Sequence, residues 1–162
     1  MSDVLWTDID NYLLTNILAD MGSAGSYATL IANEVLLSSE FKEDTYNPPT
    51  VIIFSNRAKP IAQGPHGDGS VHIWTDYPYL LMGVDDRQTS YATAKANAQE
   101  LMQRLREVVR SRFALGGLTS TVGEFVYDTT IQELRTEVLG SSSTGGKFTG
   151  VGLVSFTVRS EV

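Results

Sequence analysis

Between Ser90 and Phe113 the chain carries a stripe that restricts what it can pack against. Tyr91, Ala94, Ala98, Leu101, Leu105 and Val108 recur at intervals of three and four, joined by Met102 and Val109. That is the spacing of one face of an α-helix. Ser90 or Thr89 can cap its start by accepting from first-turn amides, and Gly116-Gly117 supplies the stop. The first half of the stripe is narrow (Ala94, Ala98) and the second is bulky. A helix built so can approach a sheet closely at its N-terminal end. The repeat is too short for a coiled coil, so the stripe reads as a core face.

The sheet it needs is spelled out at the end of the chain. Phe148, Gly150, Gly152, Val154, Phe156 and Val158 share one side of an alternating pattern. Lys147, Thr149, Ser155, Thr157 and Arg159 take the other, interrupted by Val151 and Leu153. This predicts a long final strand in which Gly150 and Gly152 allow a bulge or a close approach. Residues 131–139 carry two signals. Thr130-Ile-Gln-Glu133 imitates a helical capping box, whereas Leu134, Thr136 and Val138 alternate with Glu133, Arg135 and Glu137. The strand following them favours a strand here too, which makes 140–146 a hairpin tip. Val122 to Val126 reads as a further strand.

Upstream, Val51-Ile-Ile-Phe54 is a short β-branched strand, and SVHIW and YPYLLMGV are strand-like. Pro78 confines the latter to a strand start, an edge or a bulge. The intervening 56-NRAKPIAQGPHGDG-69 reads as a long polar connection. At the N-terminus, Trp6, Ile9, Leu13 and Ile17, flanked by Leu14, Leu18 and Met21, predict a helix over 3–21, closed by Gly22. Tyr27, Ile31 and Val35 predict a second from Ser26 to Phe41, ended by Asn47-Pro48-Pro49. The expectation is a single α+β domain over 1–162. A helical region (1–46) precedes a mostly antiparallel sheet with one long helix packed on a face (50–162).

The charge is uneven. Residues 1–50 hold eight acids against Lys42, a net −7, and residues 91–120 hold five cations against Glu100 and Glu107, a net +3; the whole chain is also −7. An acidic chain repels phosphate, which argues against free-standing nucleic-acid binding. The basic segment reads first as a helix with cations near its C-terminal end, where they suit the dipole. There is no cysteine, hence no disulfide framework or thiolate metal site. No apolar run approaches a membrane span, and MSDVLWTDID has no basic leader segment. Synthesis in a cytoplasm fits these features.

Motifs for chemistry are weak. Gly140 to Lys147 imitates a phosphate-binding loop, but Gly146 stands where the lysine belongs, Phe148 replaces the magnesium-binding hydroxyl, and a strand pattern follows. His66, Asp68 and His72 could hold a divalent ion, although Asp and Gly are ordinary turn formers. Asp85-Asp86 could be a carboxylate pair or a polar connection. No G-x-S-x-G elbow is present. The expectation is therefore no catalytic residue, no cofactor and no resident metal. The alternative of another class is a metal-dependent enzyme or ligand-binding module using His66, Asp68 and His72.

Tyr77-Pro78-Tyr79-Leu80-Leu81-Met82-Gly83, the helix Ala92 to Arg112 and the strand Lys147 to Val158, behind an acidic N-terminal helix, together resemble the small tail-completion proteins of long-tailed phages, the tail terminator and neck group. The resemblance implies a virion structural protein made in the host cytoplasm. It would form a homo-oligomeric ring, typically of six, capping the tail tube and joining it to the head connector. Its partners would be the tail tube protein and the connector or stopper protein, with DNA passing through unbound and no membrane. A connector or stopper role is the near alternative. Interface contributions are expected from Arg104, Arg106, Arg110 and Arg112 on the helix, from the loop 56–70, and from Ser141, Ser142, Ser143, Thr144 and Lys147 of the loop 140–147. The basic helix is expected to pair with the acidic N-terminal region of a neighbour.

Overall fold

The computed structural model describes residues 2–21, 32–42, 45–55, 59–65, 71–119, 124–140 and 147–161. Helix α1 (Ser2–Met21) is followed by strands β1 (Glu34–Leu37), β2 (Thr50–Ser55), β3 (Lys59–Pro65) and β4 (Val71–Gln88). Then come helix α2 (Tyr91–Ser111), a 3-10 turn (Phe113–Gly116), β5 (Phe125–Leu139) and β6 (Phe148–Glu161). One sheet runs β1-β2-β4-β6-β5, with β3 paired to β4 beside β2. Every pairing is antiparallel except β1 with β2. The class is α+β.

The helix α2 forms where its stripe predicts. The Ser90 hydroxyl accepts from the Thr93 amide, and Ala94, Ala98, Leu101, Leu105 and Val108 are buried. The narrow half of the stripe lies on glycines. A Cβ at Gly152 would sit 2.6 Å from both the Ala98 carbonyl and the Met102 amide, one at Gly150 would meet the Ala94 carbonyl, and one at Gly83 would come within 3.1 Å of Leu101. Gly83 and Gly152 are direct cross-strand partners. The missing side chains of the sheet therefore set how closely α2 can dock. Towards its C-terminal end, Leu105, Val108 and Val109 meet Val154, Phe156 and Val158.

Helix α1 adds to the same core through a strict four-residue row. Ile9, Leu13, Ile17 and Met21 are each at most 4% exposed, and a buried Leu or Ile contributes about 1.5–3 kcal/mol. Trp6 meets Tyr77 edge-on at 5.9 Å. The Tyr79 hydroxyl donates to Asp10 at 2.7 Å, and its ring stacks on Phe156 at 5.7 Å. Both helices thus lie on the face that carries Val51, Ile53, Tyr77, Tyr79, Leu81, Val154, Phe156 and Val158.

Three expectations need correction. The second N-terminal helix, placed over Ser26 to Phe41, is not formed in its described part: Glu34–Leu37 is strand β1, parallel to β2. Its anchors are polar. The Asn33 side chain donates to the Pro48 carbonyl, and Glu34 accepts from the Asn47 amide and the Thr50 hydroxyl. The Val51–Ile53 edge then offers backbone partners that outweigh a weak helical pattern. Residues 59–65 of the supposed polar connection form β3, with a register irregularity between Pro60 and Ala62 and Pro65 at its end, the positions a strand can give to proline. SVHIW and YPYLLMGV are one 18-residue strand, β4. Pro78 lies inside it, opposite the break where β2 has ended at Ser55 and β3 has yet to begin at Lys59.

The pattern of Leu134, Thr136 and Val138 is that of a strand, β5, and not of a helix. These residues pair with Val154, Gly152 and Gly150. The expected Val122 start lies outside the described residues, as do Ser141 to Gly146.

Candidate interface surfaces

The positions singled out for chemistry do not converge. Gly140, at φ +111°, ends β5, and Phe148 begins a strand. No helix N-terminus follows, so the phosphate-loop geometry is absent. His66 and Asp68 lie outside the described residues, and His72 pairs with Gly64 in the β3–β4 ladder. Among the described residues no group of three His, Cys, Asp or Glu is placed to hold a metal ion. Asp85 and Asp86 serve different neighbours. Asp85 is fully buried and accepts from the Asn97 and Gln88 amides, whereas Asp86 accepts from the Tyr46 hydroxyl. They tie β4 to α2 and to the 38–49 connection respectively. Glu124 is a further buried carboxylate, satisfied by the Tyr77 and Ser160 hydroxyls at 2.8 and 2.6 Å.

The four arginines of α2 and its end divide into two pairs. Arg112 donates to both carboxylate oxygens of Asp20 at 2.6 and 2.7 Å and lies over the Tyr12 ring. These bonds hold its guanidinium pKa above the ordinary value. Arg104 is 6% exposed and donates to the Asp20 carbonyl at 2.6 Å. That carbonyl belongs to the last turn of α1, where acceptors lack helical partners and the dipole favours a cation. The basic helix thus meets the acidic N-terminal segment inside one chain, and Arg104 and Arg112 are not available to a neighbour. Arg106 and Arg110 face outward instead. With Val109, Ile131, Leu134 and Thr130 they line a groove of about 480 Å³ between α2 and β5. Arg110 has only an exposed i,i+3 contact to Glu107 at 3.7 Å.

The second surface is the sheet face opposite the helices. Ile52, Phe54, Leu80, Met82, Val84, Val151 and Leu153 occupy it, as their cross-strand pairing requires. No helix of the described residues lies on it. Between Phe54, Pro78, Leu80, Ser155 and Glu133 runs a shallow groove of about 510 Å³. The rim is charged, with an Arg135–Glu137 pair at 2.9 Å and a bidentate Arg159–Asp76 pair at 2.9 and 3.1 Å. The signal for this face was visible in the sequence as Val151 and Leu153, which break the alternation of β6.

The edges and ends form a third set. β5 closes one flank of the sheet and β1 the other. The first residues of β5 are bridged by Thr119 and receive Leu118. Beyond Ile131 the outer edge of β5 has no strand partner among the described residues. The two loops expected at interfaces lie at opposite ends of the sheet. Chain direction in β4 and β6 sets the tip after Pro65 at the end where Trp74 meets Glu161, and the tip between Gly140 and Lys147 at the end where Gln88 meets Phe148.

No protein-family model matches the sequence, and no curated protein matches it either. No helix of the described residues is long and apolar enough to cross a membrane.

Proposed function

We propose that the protein is a structural subunit of a phage tail, a tail terminator or neck protein, acting as a homo-oligomeric ring that caps the tail tube and joins it to the head connector. The observation that carries this reading is the distribution of unsatisfied surface. Two unpaired strand edges stand on opposite flanks of one sheet, and a half-apolar face lies between them. A subunit with different patches on its two flanks makes head-to-tail contacts, which close into a ring when the rotation allows. The two hairpin ends add two further and unlike surfaces, one for each axial neighbour. The order of elements, an N-terminal helix, the Tyr-Pro-Tyr strand, the long helix and a C-terminal hairpin, agrees with the resemblance. The acidic balance suits a conduit through which DNA passes without being held.

Mass measurement combined with negative-stain imaging tests this. Rings with a central hole, alone or on addition of tail tubes, support it. A chain that stays monomeric at high concentration and leaves tail tubes uncapped refutes it. A terminator and a stopper differ in which end is occupied: capture on tail tubes identifies the first, capture on head connectors the second.

A further inference from the structure

We infer that successive copies in the ring join by seating the acidic β1 flank of one copy in the groove between α2 and β5 of the next. This rests on the ring reading above and assigns its lateral contact. The groove has an apolar floor and a cationic rim. Val109 is 5% exposed and Leu134 38% exposed, and the outward-facing Arg106 and Arg110 stand over them. Among the described residues neither arginine has a carboxylate partner beyond the loose Glu107 contact. Beside the groove, Glu133 to Leu139 is the stretch of β5 beyond its second register irregularity, so it presents a regular edge.

The occupant is identified by charge and by backbone. The opposite flank ends in β1, four residues long, whose outer edge is also unpaired among the described residues. The turn after it, Ser38–Glu40, is exposed, and the segment 34–44 carries four acids against one lysine. Arg104 and Arg112, by contrast, are already engaged with Asp20. The cations that remain outward are on one flank and this acidic segment is on the other. Two unpaired edges with opposite charge cannot satisfy one another within a chain, because β2, β4 and β6 stand between them. They can do so between copies, extending the sheet from subunit to subunit. The register irregularities of β5 and its charged Glu133, Arg135 and Glu137 guard against indiscriminate strand pairing. Selection then falls to the arginine rim.

The test uses two variants of the full chain, Arg106→Glu/Arg110→Glu and Ser39→Lys/Glu40→Lys. All four positions are exposed, so far-UV circular dichroism and thermal melting should match the wild type. Like charges placed across the contact should raise the concentration needed for ring formation by about tenfold or more for each variant alone. Mixing the two in equal amounts should restore rings, since the reversed groove of one accepts the reversed flank of the other in both directions around an even-numbered ring. Wild-type rings that persist unchanged in the arginine variant overturn this contact and leave the ring reading standing. Variants that each fail, with a mixture that also fails, place the arginines against some other acidic surface and overturn it as well. A wild type that forms no ring under any condition overturns both.

Discussion

Replacing Gly152 by alanine isolates the closest contact in the molecule. At a strand glycine of ordinary φ, alanine should stabilise by about 0.4–1 kcal/mol, because the unfolded chain loses freedom. Here the added Cβ meets the Ala98 carbonyl and the Met102 amide at 2.6 Å, where ordinary contact begins at 3.4 Å. Backbone must therefore retreat by about 0.8 Å. Neither atom belongs to a flexible side chain, and α2 cannot lift there without loosening its seats on Gly150 and Gly83. Overpacking of this kind costs about 1–3 kcal/mol or somewhat more, which exceeds the entropic gain. The net expectation is a loss of about 2–3 kcal/mol, out of a total of about 5–15. For a domain of this size that is a fall of roughly 4–12 °C in Tm. Urea unfolding should show a lower midpoint with an unchanged slope. Because the clash is with the carbonyl of residue 98, trimming its side chain in Gly152→Ala/Ala98→Gly should not rescue it. A Gly152→Ala protein as stable as the wild type, or a rescue by Ala98→Gly, would show that the sheet glycines do not set the docking distance.

Other expectations follow from the polar contacts. Burial pushes the Asp10 carboxyl above its ordinary 3.8, more than the Tyr79 hydroxyl lowers it. The folded form then holds this proton more tightly than the unfolded chain, so the group adds stability as pH falls from the raised value towards 3.8, and the charged form subtracts it above. Asp10→Asn, which keeps an acceptor for Tyr79, should be at least as stable as the wild type at pH 7 in urea titrations, with the gap closing on acidification; a constant gap would contradict this. Glu124→Ala should cost about 2–4 kcal/mol by leaving two hydroxyls unsatisfied, and Glu124→Gln clearly less, so equal midpoints for the two in urea would refute the network's role. Arg112→Ala should cost about 1 kcal/mol, since both partners are partly exposed, and the loss measured by thermal melting should shrink in high salt. Arg106→Ala should leave monomer stability within about 0.5 kcal/mol of the wild type.

Much of the fold was legible because it rests on periodicity and on residue size. The spacing of Ala94 and Ala98 against that of Gly150 and Gly152 foretold a helix lying close on a sheet, and the alternation of Leu134, Thr136 and Val138 correctly outweighed a capping-box imitation. What misled were segments whose structure depends on a distant partner. Glu34–Leu37 is strand because Val51–Ile53 offers it an edge, and Lys59–Pro65 is strand because β4 is long enough to supply one. Neither pairing leaves a strong local pattern. The surfaces were legible in part. Charge asymmetry showed that the helix and the N-terminal segment attract, but not that Asp20 takes up Arg104 and Arg112 within the chain. The groove between α2 and β5 could not be read at all, since Val109 and Leu134 join only through the sheet order.

The antiparallel run of β4 and β6 has a mechanical consequence. The two hairpin tips lie at opposite ends of the sheet, each reached through the beginning of one of these central strands. A pull between the tips would draw β4 and β6 past one another along their length, and thirteen register pairs would share the load together. Strands peeled from one end break their bonds singly, whereas strands sheared lengthwise must break them at once. Resistance to such a pull is a matter of unfolding rate and not of equilibrium stability. A chain wired in this way would hold its shape best under tension applied along its strands.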